Sequence, residues 1–287
     1  MTTTATTDAP DAAEAESSSQ SPRVLTKHQQ AFFATFGYLR IPGLLREEIG
    51  WISDAYDELL TAPDGSRSDR TIVPFVDSSP RLTTLLDHAR LEGAIADLLG
   101  EDFNYLSSDG AYRRGDTPWH CDGSWTVGRF AKVAIYLDPI TRATGALRVI
   151  PGSHHVAAGT TPWAVRAAAE SREQWGIAQD QVPSVAIETL PGDVVMFDHN
   201  IMHAAFGGSV RRMFTLNVGM RATNEAGLAA LRDYLDIHIS PWGPRTHGDG
   251  MLATASPRRQ RHLEQVIAQE GLAPKMVAKA AVSVASR

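Results

Sequence analysis

The segment Thr117–Trp125, TPWHCDGSW, places a histidine and an aspartate two positions apart between tryptophans. On a β-strand, side chains two residues apart point to the same face, so His120 and Asp122 can share one bound ion. Two histidines and one carboxylate bind ferrous iron on one face of an octahedron and leave the opposite face open for substrate and oxygen. The pair therefore predicts two ligands of a metal centre; the alternative is a hydrogen-bonded His–Asp pair in a turn.

A third ligand has to come from a later strand, and His203 is the best candidate. It lies on the second of two predicted strands in PGDVVMFDHNIMHAAFGG (191–208), where a strand can hold it rigidly. His199 falls at the turn between these strands and is predicted to face solvent. The other histidines fall in turns or in helical and irregular surface segments: His28, His88, His154, His155, His238, His247 and His262. The alternative for His203 is a core histidine.

Two arginines, Arg211 and Arg212, open a strand a few residues beyond His203. A guanidinium can form two parallel, charge-assisted hydrogen bonds with a carboxylate, as a dicarboxylate co-substrate would require. Because strand alternation sends the two side chains to opposite faces, only one of them can do this. The alternative for each is a surface ion pair.

Short apolar runs from residue 103 onward predict the elements that position these residues. Gly, Pro, Asp and Asn turns separate the runs DFNYLSSDGAY, AKVAIYLD, GALRVIPGSH, SVAIETLPGDVVMFDH and RRMFTLNVGM. Strands at this spacing favour a β-sandwich or jelly roll over a parallel sheet. Helices are predicted before this region, beginning with Thr26 as an N-cap, and at 224–237 and 257–269, outside the sheets.

Composition divides the chain into three parts. Residues 1–22 contain no aromatic residue and are rich in Thr, Ala, Ser and acidic residues, which predicts a disordered N-terminal tail. Residues 23–270 show no repeat and no change of composition, which favours one domain. Residues 271–287 are rich in small residues and predict a C-terminal tail that frays or lies loosely on the surface.

Charge and hydropathy exclude some classes of partner. The net charge is −6 without a basic block, which argues against a nucleic-acid partner. No apolar run approaches the roughly 18–20 residues of a membrane span. The N-terminus lacks the features of a secretory signal, and the single Cys121 cannot form an intrachain disulfide, so a cytoplasmic protein is expected. Cys121 is expected to pack as a small hydrophobe.

The ordered set of motifs resembles the phytanoyl-CoA dioxygenase family of Fe(II)- and 2-oxoglutarate-dependent oxygenases. The resemblance rests on HCD (120–122), ATGALRVIPGSHH (143–155), LPGDVVMFDHNIMHA (190–204) and the arginine pair at 211–212. The opening FFATFGYLRIPGLL (32–45) is also similar to the first helix and strand of that family. The similarity extends over residues 25–220.

The resemblance implies a mainly β structure with added helices, built on a double-stranded β-helix, the cupin-like jelly roll. It implies iron at His120, Asp122 and His203, and 2-oxoglutarate bound through its distal carboxylate by Arg211 or Arg212. Arg211 is favoured because the first arginine of such a pair usually has this role. Position in the family further implies cofactor contacts from Tyr105 and Ser107 and substrate contacts from Asp109 and Tyr112. Trp125 is a candidate substrate contact because it flanks the metal pair, and Arg113 is one if the substrate is anionic.

The implied activity is that of a dioxygenase that uses O2 to oxidise a C–H bond of a small-molecule metabolite, with release of succinate and CO2. Asp122 favours hydroxylation or a related oxidation, since related halogenases carry Ala or Gly at the carboxylate position. The breadth of the family suggests secondary metabolism. Two alternatives remain: a cupin-like metal-dependent isomerase or hydrolase without 2-oxoglutarate, and a non-catalytic small-molecule binding module.

Overall fold

The computed structural model describes residues 21–285 except for 63, 69, 156–160 and 209. The predicted N-terminal tail therefore lies outside the described residues except for its last two positions. There Ser21 is buried, and its backbone N–H donates to Glu101 across 3.0 Å. The single-domain assignment stays a prediction.

The strands form two antiparallel sheets. The five-stranded sheet has the order β1-β7-β4-β9-β2 and the four-stranded sheet the order β3-β8-β5-β6. From β2 onward the chain crosses repeatedly between the two sheets, with β5 and β6 as a hairpin within the smaller one, and this topology confirms the predicted jelly roll. The bounds are β1 Tyr38–Ile41, β2 Asn104–Arg113, β3 Thr117–His120, β4 Phe130–Tyr136, β5 Leu147–Val149, β6 Val185–Ile187, β7 Val194–Asp198, β8 His203–Ala205 and β9 Arg211–Gly219.

Helices pack against the five-stranded sheet, and the helix at 161–169 packs against β3 of the four-stranded sheet. They are α1 Lys27–Phe36, α2 Ile49–Leu60, α3 Pro80–Thr83, α4 Ala89–Leu99, α5 Thr161–Ala169, α6 Ser171–Trp175, α7 Glu225–Tyr234, α8 Asp249–Thr254, α9 Pro257–Glu270 and α10 Pro274–Ala285. Thr26 begins α1 with a capping box, because its side chain and that of Gln29 each accept the other's backbone N–H. Within the described ranges, no helix has the length and apolar character needed to cross a bilayer.

Side-chain alternation along β4 and β9 separates the main core from the interior of the barrel. Val133 on β4 and Phe214 on β9 pack into the large apolar cluster beneath the helices. Their neighbours Lys132 and Thr215 point the other way and line a cavity between the two sheets. One face of each strand therefore stabilises the fold, while the other is available for chemistry.

The C-terminal region includes a helix. Residues 274–285 form α10, and Met276 is fully buried in one cluster with Tyr234 and Val266. The assignment of 271–287 as a tail stays a prediction, and within it the described residues include a helix. Its alanines favour helix, and the large apolar side chain of Met276 anchors that helix to the domain.

Candidate metal centre

Three side chains predicted as metal ligands meet where the four-stranded sheet ends. His120 closes β3 and His203 opens β8, and the two are direct cross-strand partners. Asp122 follows β3 in a bend that its backbone N–H fixes by donating to the carbonyl of His199 across 2.9 Å. One potential ligand atom from each of His120, Asp122 and His203 lies within 4.8 Å of the others.

Both histidines present the Nε2 atom to this cluster. The Nδ1 atom of His120 lies 2.9 Å from the carbonyl of Pro118, and Nδ1 of His203 lies 2.9 Å from the carbonyl of Ile201. A carbonyl oxygen only accepts, so each Nδ1 carries the proton and each Nε2 keeps its lone pair. Backbone contacts of this kind orient histidines that bind metals.

The Asp122 carboxylate is ionised and incompletely paired. Burial alone would raise the pKa of Asp122. The ammonium of Lys132 and the surrounding imidazoles have a larger, opposite effect, so the pKa lies well below its usual range. Lys132 donates to Oδ1 across 3.1 Å, whereas the buried Oδ2 has no hydrogen-bond partner. A buried acceptor without a partner is unfavourable, and a divalent cation would satisfy it. This donor set fits Fe(II).

A cavity of about 180 Å³ leads from this cluster to Arg211. Arg211 is 2% exposed; its Nη2 donates to the carbonyl of Gly115 across 3.2 Å, and its Nη1 has no partner among the described residues. Gly145 leaves room for the guanidinium, because a Cβ there would lie 1.8 Å from Nη1. Burial lowers the pKa of Arg211. A buried, half-paired guanidinium at the end of a cavity is suited to bind an anion.

Arg212, the alternative to Arg211, points to the opposite face of β9. Its Nη1 donates to Asp57 and its Nη2 to Asp138, each across 2.8 Å. The hydrogen bonds to Asp138 raise the pKa of Arg212. These contacts tie β9 to α2 and to the turn after β4, so the structure does not bring Arg212 to the cavity.

The residues predicted on β2 divide between its two faces. Asp109 and Arg113 line the cavity that reaches Arg211, and Ser107 lines an adjoining chamber beside Asp122. The predicted cofactor contact of Ser107 thus falls in a different cavity from the one that ends at Arg211.

Tyr105 and Tyr112 face the helical layer, so the structure does not support their predicted cofactor and substrate contacts. The hydroxyl of Tyr105 donates to Asp77, and that of Tyr112 donates to Asp57, both across 3.0 Å. A β-bulge between residues 105 and 107 breaks the alternation that the prediction assumed for Tyr105.

Trp125 lines a wide, mainly apolar cleft of about 750 Å³ that opens onto His120 and Asp122. A reciprocal clamp holds this tryptophan in place: its backbone N–H donates to the side chain of Asn200, whose amide donates back to the Trp125 carbonyl. We call this space the outer cleft. The predicted substrate-binding position of Trp125 is therefore compatible with the structure. Cys121 reaches the lining of the outer cleft but also packs against the apolar cluster around Trp119.

Two residues near the metal ligands were not found as site residues from the sequence. His199 is buried between Phe130 and Tyr234, and burial lowers its pKa to about 3. The prediction that it faces solvent is wrong, because the end of α7 covers the turn. Lys132 was missed as well, although a lone lysine in the apolar strand FAKVAIY is a detectable signal.

Two histidines assigned to surface segments are also buried. His262 lies between the carbonyl of Phe103 and the carboxylate of Glu92, and His247 stacks on Tyr105. Burial lowers the pKa of His247 to about 3. Both assignments are corrected: the helix that carries His262 and the bend that carries His247 pack inward, which their local sequence does not show.

The sequence model of the family described as Phytanoyl-CoA dioxygenase (PhyH) matches residues 33–213. The chain belongs to this family. The match runs from the first helix to the start of β9 and confirms the resemblance seen in the motifs. The family match and the relatives identify the chain as an iron- and 2-oxoglutarate-dependent dioxygenase.

Relatives and solved structures agree with this assignment. An ectoine dioxygenase from Sphingopyxis alaskensis is 26% identical over 217 residues, 64% of this chain and 71% of the relative. The α-ketoglutarate-dependent carbocyclase SnoK from nogalamycin biosynthesis is 22% identical with a TM-score of 0.55, covering 68% of this chain and 84% of its own. AviO1 from Streptomyces viridochromogenes is 21% identical with a TM-score of 0.56. The match covers 71% of this chain and 98% of AviO1. These structures establish the shared fold.

Proposed function

We propose that the protein hydroxylates, or otherwise oxidises, a C–H bond of a small-molecule metabolite, using Fe(II), O2 and 2-oxoglutarate and releasing succinate and CO2. One observation carries the proposal: a cavity lined by His120 and His203 of the ligand cluster reaches the half-paired guanidinium of Arg211. A cupin-like isomerase or hydrolase would need the metal ligands but not a buried arginine at the far end of that cavity.

His120, Asp122 and His203 would hold the iron, which when bound supplies the activation of dioxygen. The protein contributes the geometry: carbonyls fix both imidazoles, Lys132 fixes the carboxylate of Asp122, and the carbonyl of His199 fixes the Asp122 backbone. Three ligands on one side leave positions free for co-substrate and oxygen.

Arg211 would bind the distal carboxylate of 2-oxoglutarate through paired, charge-assisted hydrogen bonds. The cavity between Arg211 and the ligand cluster suits a short dicarboxylate, and Thr215 and Tyr136 add polar groups to its lining. Leu147 and Phe197 also line it, which limits the access of water to the co-substrate.

The substrate would approach through the outer cleft, which meets the cluster at His120 and Asp122. A role in secondary metabolism is part of this proposal, supported by the neighbour from nogalamycin biosynthesis. A cytoplasmic location is also part of it, supported by a cysteine content of one, which suits a reducing compartment.

The test is aerobic incubation of the reconstituted protein with Fe(II), 2-oxoglutarate and fractionated metabolite extracts. We expect succinate formation to match O2 consumption, and mass spectrometry to find a product heavier by one oxygen atom. An Asp122→Asn variant is the control that should lose both signals. Product formation that needs the metal but neither O2 nor 2-oxoglutarate would instead identify an isomerase or hydrolase.

A further inference from the structure

A second chamber, of about 380 Å³, adjoins Asp122 beside the cavity that ends at Arg211. We call it the inner chamber. It shares Asp109, Arg113 and Lys132 with the proposed 2-oxoglutarate cavity, but neither His203 nor Arg211 is part of its wall, so it is an adjoining compartment. Its polar lining includes Ser107, Asp109, Asp122, Lys132, His199 and Asn217.

Three of these residues carry buried polar atoms that have no partner within the part of the chain that the structure describes. They are Oγ of Ser107, Oδ1 of Asn217 and both ring nitrogens of His199. The residues are only 2%, 8% and 1% exposed. Buried polar atoms in native proteins are nearly always hydrogen-bonded, so several unpaired ones that line one chamber indicate a polar ligand.

The fixed charges of the inner chamber are paired with one another. Arg113 contacts Asp109 across 3.0 Å, and Lys132 contacts Asp122 across 3.1 Å. Among the described residues each cation of the chamber is held by an anion, so none is free for a phosphate, and the one unpaired carboxylate oxygen, Oδ2 of Asp122, lies beside His203 in the ligand cluster. The chamber's other unpaired groups donate and accept hydrogen bonds, which suits hydroxyl or amide groups.

The outer cleft is different in character and meets the inner chamber at Asp122 and His238, which line both. Its walls include the apolar side chains of Trp125, Val165 and Ile237. A π-helical turn, Leu235–Ile239, carries His238 to the junction. Such turns are rare in proteins and occur often at functional sites.

Among the described residues, the carboxylates that line the outer cleft are Asp122 and Asp233, and neither lysine nor arginine does so. A coenzyme A ester would bring several phosphate charges to this entrance without a cation to receive them. The electrostatics of the cleft therefore disfavour that class of substrate.

We infer that the substrate is an uncharged amphipathic molecule whose hydroxyl- or amide-bearing end binds in the inner chamber while its apolar body occupies the outer cleft. Ser107, His199 and Asn217 recognise the polar end. The susceptible C–H bond then lies near the junction beside Asp122, next to the metal ligands. This inference rests on the proposed function and specifies the substrate class of the same site.

The test uses three probes that share an apolar ring and differ in the polar group: phenyl β-D-glucoside, phenyl phosphate and trimethylphenylammonium. Dissociation constants are measured on the full chain by saturation-transfer NMR, with bound metal absent. We expect the glucoside to bind more tightly than either charged probe. Asn217→Leu should weaken its binding about tenfold, the effect of one or two lost hydrogen bonds. Ser107→Ala is tested in the same way. Its control is Ser184→Ala, because Ser184 lies outside these cavities and contacts Val182.

A second variant covers the possibility that Asn217→Leu does not fold. Asn217→Asp places an unpaired negative charge in the chamber and should shift preference from the glucoside toward trimethylphenylammonium. Equal affinity for all probes, or affinities unchanged by the Asn217 and Ser107 variants, would overturn the inference.

The same samples separate this inference from the proposed function. Wild-type protein that binds Fe(II) and 2-oxoglutarate anaerobically but shows no preference for the glucoside would refute the inference and leave the function in place. Asn217-dependent glucoside binding without binding of Fe(II) and 2-oxoglutarate would refute the proposed function and retain the chamber as a binding site for uncharged groups.

Discussion

Gly145 and Arg211 lie so close that any side chain at position 145 would displace the guanidinium. A Cβ at residue 145 would be 1.8 Å from Nη1 of Arg211, and the glycine also has a φ of +97°. The two residues belong to separate motifs in the chain, GALRV and RRMF. Their contact shows that the turn before β5 shapes the end of the proposed co-substrate cavity.

Replacing Gly145 should therefore impair the use of 2-oxoglutarate. We expect Gly145→Ala to raise the KM for 2-oxoglutarate at least about tenfold, because it displaces a charged hydrogen-bond donor. Gly176→Ala is the matched control: Gly176 has a φ of +72° but open space around it, so that variant carries the backbone strain alone. Equal effects of the two variants on KM would show that strain, and not the guanidinium, matters.

Substitution of Arg211 should impair co-substrate binding, whereas substitution of Arg212 should lower stability. Arg211→Met should raise the KM for 2-oxoglutarate about 100-fold, since a paired, charge-assisted contact contributes roughly 3 kcal/mol. Arg212→Met should leave that KM within about twofold but lower the free energy of unfolding by about 1–2 kcal/mol, because Asp57 and Asp138 lose their partner. Steady-state kinetics and urea unfolding of both variants measure this. The reverse pattern would assign the co-substrate contact to Arg212.

The sequence predicted the ligand cluster because each ligand lies in a motif with its own local signal. His120 and His203 sit in separate strands, and the jelly-roll pairing that brings them together follows from a succession of short strands. The positions of His199 and Tyr105 could not be predicted in the same way. A turn residue is buried here only because α7 ends in a π-helical turn above it, and a single bulge reorients Tyr105. Both are tertiary effects that local patterns do not encode.

Asp77, which lies away from the metal centre, should make the free energy of unfolding depend on pH. Its carboxylate accepts from Tyr105 and from the backbone of Gly248, and burial raises its pKa from 3.8 to about 6. Because the folded state binds the proton more tightly, the stability that this group contributes is complete below about pH 4 and is lost as pH rises through 6. Relative to Asp77→Asn, the free energy of unfolding of the wild type should therefore fall by on the order of 2 kcal/mol between pH 4 and 7.

Urea unfolding of the wild type and Asp77→Asn across this pH range tests the prediction. The amide keeps one acceptor for Gly248 and can donate to the oxygen of Tyr105, whose hydroxyl then donates to Ser108. Asp64→Asn is the control of opposite sign, since hydrogen bonds from Ser66 lower the pKa of that exposed carboxylate. A stability difference that does not change with pH would contradict the account of Asp77.

Met276 should be the anchor of α10. Met276→Ala removes a fully buried side chain from the cluster around Tyr234, and we expect a loss of about 2–4 kcal/mol in the free energy of unfolding. The neighbouring Val277 is 45% exposed, so Val277→Ala should cost less than about 0.5 kcal/mol. Equal, small losses would mean that the segment is the loose tail that its composition suggests.

Anaerobic titration of the protein with Fe(II) and then 2-oxoglutarate tests the central claim most directly, because the keto acid chelated to ferrous iron gives a weak visible charge-transfer band. We expect the wild type to develop the band at one equivalent of each. His203→Ala should abolish it, and Arg211→Met should shift its 2-oxoglutarate dependence to concentrations about 100-fold higher. No band in folded wild-type protein, or an unaltered band in His203→Ala, would contradict the assignment of this cluster as the iron and co-substrate site.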